Sequence, residues 1–124
     1  MDIKGVGDLT AGKINATTYY DGPYILKTSY TDASTYNVTS TDIFIAAEAT
    51  LNQVTVNLPL ASTAGRVLTI KNITSEGENT VVVSASGEDA IDGAESQILT
   101  NLSSITVLSD EESDWYIIQR YTPS

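Results

Sequence analysis

Two clusters of carboxylates are the first candidates for chemistry. "GEDAIDG" carries Glu88, Asp89 and Asp92, and "SDEESDW" carries Asp110, Glu111, Glu112 and Asp114. Paired acids flanking a sugar linkage can cleave it, one donating a proton while the other attacks or activates water. Clustered carboxylate oxygens can also hold calcium. Neither cluster has the glycine and spaced oxygen ligands of an EF-hand loop, and both fall where turn residues separate apolar runs. Acids in such turns read as solvated charges. No catalytic residue, metal site or cofactor is assigned to them.

Other chemistries fail for want of residues. The chain has no histidine and no cysteine. That removes the commonest general base, the commonest transition-metal ligand and any thiolate nucleophile. The many serines have no imidazole to activate them, so a conventional triad is impossible. Gly5-Val6-Gly7 is followed by neither a strand–helix unit nor a Gly-Lys-Ser/Thr, so a nucleotide loop is not indicated. Trp115 beside Tyr116 could stack on a sugar, but a lone tryptophan in an apolar strand reads as a core anchor. The expectation is a non-enzyme.

Charge narrows the partners. Six basic against sixteen acidic residues leave a net charge of −10 over 124 residues. Nucleic acid is bound mainly by lysines and arginines neutralising phosphates, and the six here form no patch. Neither nucleic-acid binding nor attachment to an anionic membrane is expected. No apolar run approaches the ~18–20 residues that span a bilayer, so no membrane insertion is expected either.

The elements that must position these residues are short strands. Residues 1–35 show no sustained apolar period; Val6, Leu9, Ile14, Ile25 and Leu26 stand among glycines and threonines. This stretch reads as an extended arm that cannot bury a core alone. From Tyr36 the pattern changes. "NQVTVNLP" alternates, with Val54, Val56 and Leu58 on one face, and Pro59 ends it. "LASTAG" is a turn, with room for one helical turn closed by Gly65. "RVLTIKNI" alternates again through Leu68 and Ile70. "TVVVSAS", "SITVLSD" and "WYIIQRY" follow as strands, with Gly-rich and acidic turns between them. No 3.6-residue period lasts long enough for an ordinary helix. The expected fold is all-β: a small antiparallel β-sandwich or barrel-like domain over residues 36–124, behind the arm.

Three strands are apolar on both faces. Ile43 and Ile45 oppose Phe44 and Ala46; Val82 opposes Val81 and Val83; Trp115 and Ile117 oppose Tyr116 and Ile118. A domain this small has too few elements to cover every face, so the spare faces are expected to meet other subunits.

In order and spacing, "VTVNLP", "GRVLTIKN", "NTVVV", "IDG", "SITVLSD" and "WYII" resemble a β-domain found near the C-terminal end of fibres, tailspikes and other appendages of tailed bacteriophages. The upstream "GDLTAGKINAT" is similar to the shaft segments of such fibres. The resemblance spans roughly residues 36–119. It implies a virion structural protein, made in the host cytoplasm, that assembles as a homotrimer. It implies either a fibre tip that attaches to a host-surface receptor or glycan, or a head fibre or decoration protein docked on the capsid shell. It supplies no catalytic residue. The expected trimer seam is Leu9, Ile14, Ile25, Leu26, Phe44, Val82, Tyr116 and Ile118. The expected ligand contacts are Glu88, Asp89, Asp92, Glu112, Asp114 and Tyr121.

Overall fold

Alternating apolar residues over four to eight positions make strands whose inner side chains meet across a core, and the chain folds on that rule. The computed structural model describes residues 27–123. These contain ten strands and a single helical turn: β1 (Lys27–Thr31), β2 (Thr35–Asn37), β3 (Asp42–Ala47), β4 (Val54–Asn57), α1 (Ala61–Ala64), β5 (Val67–Asn72), β6 (Val81–Ser84), β7 (Ala90–Ile91), β8 (Ser96–Leu99), β9 (Ser104–Ser109) and β10 (Asp114–Tyr121).

The strands form two mixed sheets. The larger runs β1-β3-β5-β9-β10-β7 and the smaller β2-β4-β6-β8. Through β6 the chain alternates between the sheets, and each strand lies parallel beside the one two places earlier. In the larger sheet Ser29 pairs with Ile45, and Ile45 with Ile70. In the smaller, Thr35 pairs with Thr55, and Thr55 with Val82. Three successive coils are thereby stacked in a β-solenoid-like arrangement. The last strands then reverse. β8 runs antiparallel to β6, β9 to β5, and β10 to β9, while the short β7 lies parallel to β10.

The all-β expectation holds, and the antiparallel one is corrected. Period-2 alternation shows which side chains are buried but not which strand lies alongside. Up to β6 consecutive strands are not hairpin partners: they face each other from opposite sheets, and each parallel crossover there is made by a strand of the other sheet. Hairpin pairing appears at the end of the chain, between β9 and β10. The stretch from Val54 to Ile70 illustrates this. β4 and β5 are not a strand pair around a turn, yet Val54, Val56, Leu58, Leu68 and Ile70 are all buried in one cluster. Val81, Val83, Leu99, Ile105, Val107 and Trp115 complete it from both sheets. Burying each such side chain contributes about 1.5–3 kcal/mol before entropy is subtracted.

The turn between β4 and β5 forms as its sequence suggests. Gly65 ends α1 in the left-handed region, at φ 54°. Asp89, from a distant loop, accepts a hydrogen bond from the Ala61 amide at 2.8 Å and satisfies one of the donors a helix start leaves open. Buried polar groups are paired elsewhere as well. Asn72 donates to the Leu99 carbonyl at 2.9 Å and accepts from the Thr74 amide at 2.9 Å, tying the end of β5 to the end of β8.

Among the described residues the first strand of the larger sheet is Lys27–Thr31, within the stretch expected as an arm. Residues 1–26, with Leu9, Ile14, Ile25 and Leu26, lie outside the described residues.

Candidate functional site

Asp92 and Gly93 form a tight two-residue turn. Both have positive φ, 51° and 85°, the backbone twist of a type I′ turn, which Asp-Gly favours. Ile91 and Ala94 exchange backbone hydrogen bonds on either side of it, at 2.7 and 3.0 Å. From this turn Asp92 reaches β10. Its amide donates to the Trp115 carbonyl at 2.9 Å, and its Oδ1 accepts from the Ile117 amide at 3.1 Å. Asp92 therefore brackets Tyr116.

The second acidic turn is built around Asp110. Its Oδ1 accepts the amides of Glu112, Ser113 and Asp114 at 2.8, 3.0 and 3.0 Å. Its own amide donates to the Asp114 carbonyl at 2.9 Å. These bonds, led by that from Asp114, hold the Asp110 carboxyl below its ordinary range. The parallel pairing of β7 with β10 sets Ala90 beside Asp114 and Ile91 beside Trp115. Two acidic turns far apart in sequence thus share one end of the larger sheet. Their combined field is felt at Tyr116. Asp110 first, then Asp114, push its phenol above the usual tyrosine value, with burial, Asp92 and Glu112 adding to the effect.

The expected contact residues divide by role. The carboxylates of Asp89, Asp92 and Asp110 hold backbone amides in place. Those of Glu88, Glu112 and Asp114 make no hydrogen bond or ion pair among the described residues; Glu88 and Glu112 are exposed and Asp114 is half-buried. Among the same residues no group of three or more acids is disposed to hold a metal ion. Tyr121 stands apart from the acids. It pairs with Ser104 whereas Tyr116 pairs with Leu108, so it lies at the other end of the strand, with the Lys71 ammonium 4.9 Å from its ring centre. Two surface clefts, of about 460 and 380 Å³, are lined by residues 77–80, 100–101 and 123 and by residues 37–38, 57–59 and 85–87. None of the expected contacts lines either.

The described seam residues fall on two faces. Phe44 and Tyr116 lie on the outer face of the larger sheet. Ile118 is beside them as the extra residue of a β-bulge, since Val107 pairs with Ile117 and Thr106 with Gln119. Val82 lies on the outer face of the smaller sheet, in a row with Thr35, Thr55 and the exposed Ile98. Trp115 is fully buried and its Nε1 donates to the Pro59 carbonyl at 3.3 Å, the core role its sequence context suggests.

One polar centre has no signal in the sequence beyond an acid opening an apolar run. Asp42 is buried at the start of β3. It accepts from Ser29 Oγ at 2.5 Å, Tyr36 Oη at 2.6 Å and the Thr39 amide at 2.9 Å, and Lys27 Nζ lies 3.5 Å away. Burial opposes its charge, but the bonds from Ser29, Thr39 and Tyr36 outweigh burial and hold the carboxyl down at about 2. Ser29 belongs to the larger sheet and Tyr36 to the smaller, so Asp42 staples the first coil together. No family model matches the sequence, and no curated protein matches it.

Proposed function

We propose that the chain is a structural protein of a bacteriophage particle, assembling as a homotrimer that docks onto a surface without turning over a substrate. The observation that carries this reading is the stack of parallel coils, a rigid scaffold that presents turns at its ends, taken with the resemblance to phage appendage domains. On this reading the two sheets are the walls of a small sandwich. The trimer seam runs through the arm and the smaller sheet's outer row, Val82 with the neighbouring Ile98; Phe44, Tyr116 and Ile118, also expected at the seam, lie on the other outer face and are not placed there. The acid turns and the larger sheet's outer face are left for docking. A ring of three needs two different patches meeting on neighbouring subunits, and on this reading the arm and the smaller sheet's outer row are those two. Repeating each contact three times strengthens weak single-site binding by ~10²–10⁴ where the geometry allows.

Light scattering in dilute buffer should give about three times the chain mass; a monomer at micromolar concentration would sink the trimer. Labelled protein is then offered to host cells and to stripped capsids. Binding to cells supports a fibre tip that meets a host receptor. Binding to capsids alone gives a head fibre or decoration protein. Release of sugar fragments from host glycans would overturn the non-enzymatic reading.

A further inference from the structure

A wet sheet face ordinarily carries polar side chains. The larger sheet breaks this at one end. Val67 pairs with Leu108, and Leu108 with Tyr116, so the three form a continuous row across β5, β9 and β10. They are 48%, 39% and 46% exposed, and the neighbouring bulge residue Ile118 is 55% exposed. The next row is polar at its centre: Thr69 and Thr106 are hydrogen-bonded hydroxyl to hydroxyl at 2.9 Å. The far row holds Lys71 and Tyr121. The apolar row therefore lies at the acidic end of the face, bordered by Asp92 and the turn from Asp110 to Asp114.

Nothing in the described chain neutralises that border. Its four cations are each held by another group, two of them at Asp42 on the β3 side of the row, away from the acids at β10. Lys27 lies at Asp42, and Arg66 donates to the Asp42 carbonyl. Lys71 donates to the Leu102 carbonyl and Arg120 to Gln97. The acids act together on the Tyr116 phenol with no cation opposing them. A second copy would bring the same acidic border and a net charge of −10. Complementarity requires the opposite sign.

We propose that the outer row Val67–Leu108–Tyr116, with Ile118, is the docking surface for a protein partner whose contact patch is apolar at its centre and lysine- or arginine-bearing at its rim. The inference rests on the docking reading above and adds the chemistry of the partner. Apolar contact supplies the attraction, and the acids at the border set orientation and exclude anionic surfaces.

The test uses the full chain, isotopically labelled, and two short synthetic peptides, one alternating lysine with valine and one alternating glutamate with valine. The cationic peptide should shift the amides of Val67, Leu108, Tyr116 and Ile118. Its affinity should fall about tenfold or more on Tyr116→Ser, and several-fold on the pair Glu112→Gln and Asp114→Asn. The anionic peptide should leave the spectrum unchanged. Equal response to both peptides, shifts confined to the smaller sheet or the clefts, or no response to either would overturn the proposal. So would concentration-dependent shifts of the same amides without peptide, which would make the face a self-contact. If these results appear while cells or capsids still bind, the docking reading stands and its contact lies on another face.

Discussion

Ser29 and Asp42 are joined hydroxyl to carboxylate at 2.5 Å, both buried, across the pairing of β1 and β3. The bond closes the first coil, because the other carboxylate oxygen takes Tyr36 from the opposite sheet. Replacing Asp42 by alanine strands the buried Ser29 hydroxyl, which should cost about 1–3 kcal/mol, while the exposed Thr39 amide can turn to water. The pH dependence follows from the sign of the shift. The folded carboxyl sits at about 2, below its unfolded value, so its contribution is complete above about pH 4 and is lost as pH falls through 2. Urea unfolding at several pH values should show this decline in the parent and its absence in Asp42→Asn.

The core has two walls, and substitutions on both should register. Leu58→Ala and Ile70→Ala should each cost about 2–5 kcal/mol by leaving a cavity. Thr55→Ala, on the outer row of the smaller sheet, should stay within about 0.5 kcal/mol. Chemical denaturation of the three variants measures this, and equal effects would show that the faces are reversed.

Tyr116 should titrate late. Its phenol loses a proton into the field of Asp110, Asp114, Asp92 and Glu112, so its midpoint lies above that of an ordinary tyrosine. Ultraviolet difference titration of the parent against Tyr116→Phe isolates its signal. Asp114→Asn should bring the midpoint down, and high salt should do the same by screening. A midpoint unmoved by either change would separate the two acidic turns from the tyrosine.

Gly65 combines a left-handed backbone with a close neighbour. A methyl group there would meet the Glu111 carboxylate at 2.9 Å. Gly65→Ala should lower stability by about 1–2 kcal/mol, mostly through backbone strain. The long Glu111 side chain can swing aside, so adding Glu111→Ala should recover little. Full recovery in the double variant would assign the cost to the contact instead.

β1, β7 and β8, with the buried Ile91 and Leu99, were not read as strands, whereas the inner residues of β4, β5 and β9 were legible from alternation and Trp115 from its apolar neighbours. The order of strands within the sheets was not. Alternation says that Val56 and Ile70 point inward, but a parallel neighbour two strands away leaves no mark on either segment. The meeting of the two acidic turns was hidden for the same reason, since β7 finds β10 only after the chain has crossed the core. The outward row was half visible. Tyr116 and Ile118 stood out in a fully apolar run, whereas Val67 and Leu108 were masked by the inward residues beside them. Asp42 could be named an acid but not a staple, because its partners come from two other strands.

Order of synthesis gives the sheet arrangement a further meaning. The coils up to β6 can wind as the chain emerges, but β5 keeps an open edge until β9 arrives, and β7 has no partner until β10 does. A nascent or truncated chain ending before residue 104 would carry the open edge of β5, and one ending before residue 114 an unpaired β9 edge and β7, each an invitation to aggregate. The only tryptophan in the sequence lies in the closing strand, in contact with the core. Its fluorescence is therefore a reporter of whether the final strand has closed onto the core.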